Sequence, residues 1–274
     1  MKSVLSIQDL SCVGRCSLAV AMPVLSAMGC RCSVLPTAIL STHTGFPSPY
    51  VISLTRQLAE IDAHWESQGI RFDAVLTGYL SDPAQAEAIL PILQRHKAQG
   101  SRIIVDPAMG DHGKLYSRLD EDHVFAMSEL CREADILLPN ITEAAYLSEI
   151  PYREQTDGAY LRGLTGALLR YYGAESAIIT GVSSSPESTG FCGAHQTEGS
   201  FSYQTEAVPR QCHGTGDLFA AVFTGAMLHG RDVYESGVLA AEFVKACVAA
   251  TPAATPHGVE FETQLPWLWE QLQR

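Results

Sequence analysis

Cys212, His213, Gly214, Thr215, Gly216 and Asp217 stand directly before the apolar run Leu218 to Leu228. Their types and spacing describe an anion site at the start of a helix. A glycine on each side of Thr215 lets the backbone turn tightly and turn unobstructed N–H groups toward a negative charge, which the positive end of the following helix also favours. Asp217 would then lie in the first helical turn, beside a bound phosphate. A carboxylate next to an anion is unfavourable unless it has a task, and accepting the proton of a hydroxyl that attacks the phosphate is such a task. The pattern suggests phosphoryl transfer to a small molecule. Gly-Thr-Gly-Asp also fits an ordinary loop and helix cap, with Thr215 or Asp217 bonding free N–H groups. Nothing in these residues alone separates the two.

Two other phosphate-binding patterns are excluded by inspection. A dinucleotide fingerprint needs glycine where Phe219 stands. A Walker A loop around Gly113 and Lys114 needs glycine at Ala108 and Ser or Thr at Leu115. A kinase built on this chain does not use a P-loop. Adjacent Cys212 and His213 suggest a nucleophile and its base, but sequence neighbours rarely present side chains to one another, and pocket wall or packing is the better expectation.

The elements that must position the motif alternate between strand-like and helix-like runs, the mark of βαβ units and a mainly parallel sheet. The pattern predicts strands over Ser3–Ile7, Arg31–Ile39, Ala74–Thr77, Arg102–Val105, Ile136–Leu138 and Ser176–Thr180. It predicts helices over Ser17–Met28, Tyr50–Gln68, Asp82–Gln99, Asp120–Arg132, Thr142–Glu149 and Asp157–Tyr172. A hairpin over Gly190–Ala207, turning near Glu198 and Gly199, precedes two closing helices, Gly214–Leu228 and Val233–Ala250. With 274 residues and no internal repeat or long linker, one domain over 1–274 is expected.

Lys plus Arg number 18 against 30 Asp plus Glu, a net charge of −12 that argues against nucleic acid or an anionic membrane as partner. Phosphate binding must therefore be local. The eight cysteines lack the paired spacing of a zinc site and read as reduced thiols. No apolar stretch reaches the roughly 18 residues of a membrane span, and the first residues do not form a secretory leader. A cytoplasmic protein is expected.

In an open parallel sheet, ligands bind beyond the carboxyl ends of the strands. Those ends carry Ser6-Ile7-Gln8-Asp9, Ser41-Thr42-His43-Thr44-Gly45, Thr77-Gly78-Tyr79-Leu80, Asp106-Pro107-Ala108-Met109-Gly110-Asp111, Pro139-Asn140-Ile141-Thr142-Glu143 and Thr180-Gly181. Each alone fits a turn or a helix cap. Together they deliver hydroxyls, carboxylates and an amide to one rim.

On these motifs, taken in order with Gly214-Thr215-Gly216-Asp217, the chain resembles the ribokinase-like superfamily and, within it, the pyridoxal kinases. The resemblance runs from Ser6 to the helix after Asp217. It implies a three-layer α/β/α sandwich and ATP-dependent phosphorylation of the 5′-hydroxymethyl group of pyridoxal, pyridoxine or pyridoxamine. It implies Asp217 as the base and Gly214, Thr215 and Gly216 as the anion hole for the transferred group, in keeping with a transition state that needs its equatorial oxygens stabilised. Ser6, His43, Thr44 and Tyr79 would face the vitamin ring. Asp106, Asp111, Tyr116, Asn140, Glu143, Thr180 and Thr215 would lie toward the nucleotide, with Asp106 and Glu143 near Mg²⁺. His112 and Gly113 would be the mobile part of a short lid. A monovalent cation, K⁺, and a homodimer also follow from the resemblance; the apolar stretch Val34–Leu40 fits a partner-facing edge and an interior strand equally well.

The chain departs from the family where Asp9, Leu10, Ser11 and Cys12 follow Ser-Ile-Gln; family members often continue there with Ser-His. A hydroxymethylpyrimidine kinase of thiamine synthesis is the nearest alternative, although that branch commonly has cysteine at the position of Asp217. A vitamin-binding protein without catalysis is the alternative from another class; retention of Asp217, Asp106 and Glu143 speaks against it.

Overall fold

The computed structural model describes residues 1–253 and 255–273. Alternation along its strands divides the molecule. In β1 (Ser3–Ser11), Val4 points into one apolar core while Leu5 and Ile7 point into another. The same alternation recurs at Leu76 against Val75, Ile104 against Ile103 and Val105, and Ile178 against Ala177 and Ile179. Strands buried on both faces need helices on both, which gives three layers.

The first core is closed by α1 (Leu18–Ala27), α7 (Thr215–Leu228), α8 (Val233–Ala250) and α9 (Leu265–Leu272). The second is closed by α2 (Thr55–Ser67), α3 (Pro83–Ala98), α4 (Glu121–Cys131), α5 (Ile141–Ser148) and α6 (Gly158–Tyr172). Between them lie β2 (Arg31–Leu40), β3 (Val51–Ser53), β4 (Ala74–Thr77), β5 (Arg102–Val105), β8 (Ile136–Leu137), β9 (Ser176–Val182), β10 (Ser188–His195) and β11 (Gly199–Glu206). The sheet order is β11-β10-β9-β8-β5-β4-β1-β2-β3, parallel from β2 through β9 and antiparallel at both edges. The expected mainly parallel sandwich and the late hairpin are both present.

Four local expectations are corrected. Tyr50 does not begin a helix: Val51–Ser53 pairs antiparallel with Ala38–Leu40, and α2 starts at Thr55. A short segment with two β-branched residues satisfies its backbone better on the open edge of β2 than in a helical turn. The first strand continues past Ile7 to Ser11, carrying Gln8 and Asp9 inside the sheet. The segment after β5 forms its own hairpin, β6 (Gly110–Asp111) and β7 (Lys114–Leu115), turned by His112 at φ 51° and Gly113 at φ 76°. Positive φ at both positions is the two-residue turn that matches strand twist. Finally, the chain does not close at Ala250: α9 buries Leu268 and stacks Trp267 on Phe243 at 5.9 Å.

Helix α7 is buried from Leu218 to Ala226, and Gly225 lets Met28 press against its backbone: a Cβ there would lie 2.5 Å from Met28 Sδ. The C-terminal half of α7 is therefore packed close on the end of α1.

Candidate active site

Gly214 is the N-cap of α7, at φ 83°, and a Cβ on it would fall 2.0 Å from the Arg15 carbonyl oxygen. Only glycine meets both demands. The cap supplies no side-chain hydrogen bond. Leu218 N–H is the first to close a helical bond, to Gly214 O. Among the described residues, no acceptor takes the N–H groups of Thr215, Gly216 or Asp217. The turn thus presents free donors at a helix N-terminus, as an anion requires. Thr215 Oγ1 donates within the turn to Cys212 O at 3.5 Å.

Asp217 occupies the third helical position, half-buried behind that turn. Burial pushes its carboxyl up to about 6; Asp9 pushes in the same direction, while the Ser17 backbone N–H draws it down. Asp106 lies close by: a methyl on Gly216 would come 4.0 Å from its Oδ2. Burial raises the Asp106 carboxyl well above its ordinary range, reinforced by Glu143 and Asp217. None of the ion pairs among the described residues involves Asp9, Asp106, Glu143 or Asp217. A rim of buried carboxylates without cationic partners favours binding of a positive charge.

Glu143 is placed differently. Its Oε1 accepts from Met109 N–H at 3.0 Å and its Oε2 from Asn140 N–H at 2.8 Å, while Asn140 Oδ1 accepts from Glu143 N–H at 3.0 Å. Burial moves the Glu143 carboxyl up to about 8 against the pull of these donors. Asn140 Nδ2 donates to Gly110 O at 2.7 Å, and Thr142 Oγ1 accepts from Gly113 N–H at 2.9 Å. The N-terminus of α5 therefore grips the β6–β7 hairpin by three side chains. Asp111 is exposed on that hairpin, accepting from His112 N–H at 2.7 Å. Tyr116 follows it, 6.5 Å from the Tyr79 ring between centroids. Thr180 bridges to Asn140 across parallel backbone, its N–H on Pro139 O at 2.9 Å.

On the other side of the rim, His43 is 1% exposed, with its ring 5.0 Å from His213 and 4.9 Å from Phe46. Its Nδ1 accepts from Gly45 N–H and its Nε2 donates to Pro256 O at 2.9 Å. Burial pushes its ionisation down. A neutral imidazole with both nitrogens occupied holds the loop that carries exposed Thr44. Tyr79 is half-buried, its hydroxyl pushed up to about 12 by burial and by Asp9.

The sequence profile described as phosphomethylpyrimidine kinase matches residues 22–260. The chain belongs to this family. It is similar in structure to a pyridoxal kinase from Lactobacillus plantarum, with TM-score 0.89 and 32% identity over 99% of this chain and 98% of that one. It is also similar to a candidate phosphomethylpyrimidine kinase from Bacteroides thetaiotaomicron crystallised with pyridoxal, with TM-score 0.91 and 31% identity over 100% and 96% of the two chains. A candidate pyridoxal kinase of Schizosaccharomyces pombe is 29% identical over 199 residues, 69% of this chain and 57% of that protein. The fold is ribokinase-like, and the resemblance to pyridoxal kinases extends along the whole chain.

Family membership makes the placement of the expected residues informative. Asp217, Asp106, Tyr79 and Tyr116 converge on one rim with the free N–H groups of α7. Ser6 does not reach it: it is 0% exposed in the middle of β1, opposite Val34 and Leu76, and its Oγ has no partner. Asp9 stands nearer the end of that strand, 3% exposed, and its charge is felt by Asp217, Tyr79 and Cys16. Motif reading passed over Asp9 as a departure from the family; its signal was a carboxylate in an otherwise uncharged strand, Ser3–Ser11. The loop of Arg15, Cys16 and Ser17 was also missed. It touches the Gly214 turn from behind, and sequence gives no sign of that contact.

Proposed function

We propose that the protein transfers the γ-phosphoryl group of ATP to the 5′-hydroxymethyl group of a vitamin B6 vitamer. The carrying observation is the α7 N-terminus: unoccupied N–H donors and, two residues on from the Thr215 hydroxyl, a carboxylate poised near 6. Such a group is ionised at neutral pH and basic enough to take the hydroxyl proton as attack proceeds. Thr215, Gly216 and the glycine turn stabilise the equatorial oxygens of the moving phosphoryl group. Tyr79 lies beside the flat ring, and Thr44, presented by the His43 loop, hydrogen-bonds it. The solved relatives named above support this vitamer class.

A magnesium ion fits this chain through Asp106, whose buried carboxylate lacks a cation and lies across from Gly216. Bound with the nucleotide, the metal would neutralise phosphate charge. Both oxygens of Glu143 already hold backbone N–H groups, so its part is to fix Met109 and the hairpin rather than to ligate. Among the described residues, no three His, Cys, Asp or Glu side chains cluster as a metal site. Asp111 and Tyr116 on the hairpin, with Asn140 and Thr180 beneath it, would border the nucleotide. K⁺ as activator, a homodimer through the β2–β3 edge, one working domain over 1–274 and a cytoplasmic location complete the proposal. No described helix is long and apolar enough to cross a membrane.

The test is ADP release with ATP, Mg²⁺ and each of the three vitamers, with and without K⁺. The family profile favours a second reading, phosphorylation of a hydroxymethylpyrimidine, so that alcohol is assayed in parallel. Turnover of the pyrimidine alone would overturn the vitamer assignment. Binding of vitamers without turnover by wild type or by Asp217→Ala would identify a binding protein.

A further inference from the structure

The loop that joins β1 to α1, residues 14–17, lies behind the Gly214 turn and is held along its whole length. Gly14, at φ 109°, makes room for the His43 ring, since a Cβ there would fall 2.1 Å from His43 Cδ2. Arg15 N–H donates to His257 O at 2.7 Å. The Arg15 carbonyl oxygen sits between two glycines: a Cβ on Gly214 would lie 2.0 Å from it, and one on Gly258 2.9 Å. Ser17 is buried at φ 52° and bridges antiparallel to Leu10. Positive φ is uncommon for a residue with a Cβ, and such backbone persists where the surroundings over-determine it. Serine is a favoured N-cap, yet the Ser17 side chain makes no cap hydrogen bond to α1. Its backbone N–H is turned instead to the Asp217 carboxylate.

Residues 256–262, which follow α8, fix this loop from outside. Val259 N–H donates at 2.9 Å to the carbonyl of His213, the residue before Gly214. Gly258, at φ 87°, fits between that oxygen and the Arg15 carbonyl, and Pro256 O takes His43 Nε2. The Arg15 side chain closes the arrangement: its Nε donates to Glu262 Oε1 at 2.7 Å, and its Nη1 lies 4.0 Å from Glu260 Oε1. With Glu262 51% exposed, this ion pair adds little to global stability. Its effect is local, on a loop whose peptides touch both the anion turn and the base. We infer that Arg15 is a positioning residue for phosphoryl transfer: its ion pair with Glu262 clamps residues 14–17 to residues 256–262, so that the Arg15 carbonyl backs the Gly214 turn and the Ser17 peptide holds Asp217. This rests on the kinase reading above. The guanidinium is committed to carboxylates and is not a phosphate ligand. Displacing a reacting group by about 1 Å can slow a reaction by about 10²-fold, so a loosened loop acts on rate more than on binding.

The experiment compares wild type, Arg15→Ala, Glu262→Ala and the double variant in steady-state kinetics across pH, with melting curves. Arg15→Ala should lower kcat by about five- to thirtyfold while the KM values for ATP and vitamer stay within about twofold. The rise of kcat/KM with pH, set near 6 by Asp217, should move up by about half a unit or more, because a carboxylate that loses an N–H donor holds its proton more tightly. Glu262→Ala should act in the same direction, and the double variant should be no slower than the slower single, since both remove one interaction. Unchanged kcat and pH profile in Arg15→Ala would overturn the proposal, whether or not the melting point falls, because the pair would then be structural only. So would additive losses in the double variant, or a KM for ATP raised about tenfold at unchanged kcat, which would make Arg15 a phosphate ligand. If Arg15→Ala does not fold, Glu262→Ala is read by the same measures, and failure of both to fold also overturns it. A wild type that phosphorylates no alcohol fails the kinase reading separately. The Asp217 carboxyl, followed by ¹³C NMR and assigned with Asp217→Asn, still decides the clamp: it should titrate higher in Arg15→Ala, and equal titration in the two proteins would overturn the inference.

Discussion

Helices α5 and α7 both begin at the rim, and each carries a carboxylate at its third position, Glu143 and Asp217. Their first residues differ, and the difference separates a clamp from the proposed reaction site. Asn140 caps α5 through its side chain and, with Glu143, forms a reciprocal capping box; the carboxylate is consumed by backbone donors. Gly214 caps α7 with no side chain and a left-handed backbone, so the N–H groups of the turn stay unfilled and the Asp217 carboxylate, which takes the Ser17 backbone N–H, is not claimed by its own helix. The same acidic residue at the same helical position is structural where the cap reaches back for it, and available where the cap cannot.

The contrast is broken most directly at Asp217. Asp217→Asn should lower kcat by about 10²- to 10⁴-fold, with the vitamer KM within several-fold, because only proton transfer is removed. Steady-state ADP release measures it, and an equal loss in Glu143→Gln would erase the distinction between the helices. Gly214→Ala comes next. Left-handed backbone for a residue with Cβ costs about 1–2 kcal/mol, and the Arg15 carbonyl leaves no room, so both melting temperature and kcat should fall. A variant that melts and turns over like wild type would mean that the α7 turn is not what the glycine secures.

A titration sharpens the same point. Asp217 must be ionised to act as base, so kcat/KM should rise with pH through about 6 and level above it. Its folded carboxyl holds a proton more tightly than the ordinary value of 3.8, so the native state binds more protons between these values and stability falls as pH rises through that window. Asp217→Asn should therefore be more stable than wild type near pH 7, by on the order of 1 kcal/mol after screening by solvent at a half-buried site. Denaturant melts of the two proteins at pH 7 give the sign. Glu143→Gln should act on the hairpin instead: one oxygen becomes an N–H₂ facing a backbone donor, the grip on Met109 or Asn140 is lost, and the KM for ATP rises more than kcat falls. Thr142→Val, which removes only the acceptor for Gly113 N–H, should have the smallest effect, a change in the KM for ATP of about threefold or less.

Much of this architecture was legible in the chain. Apolar runs bounded by Gly, Pro and Asp marked the parallel strands, because strands covered on both faces must be apolar on both. Capping residues such as Asp82, Asp120 and Asp157 marked helix starts, and each accepts from a backbone N–H of its helix. What escaped depended on partners distant in sequence. Val51–Ser53 became a strand because β2 had an open edge, and the length of β1, hence the position of Asp9 at the rim, was set by pairing with β2 through Leu40.

The site divides in the same way. Its residue types and their order, from Asp106 through Glu143 to Asp217, were fixed by local sequence, since turns and caps depend on neighbours within a few positions. Only the tertiary structure decided which of those carboxylates is taken up by its own helix cap and which is not, and that Asp9 rather than Ser6 stands toward the end of β1. Availability of a polar group depends on what is packed around it, and those atoms come from segments that the chain brings together only when it folds.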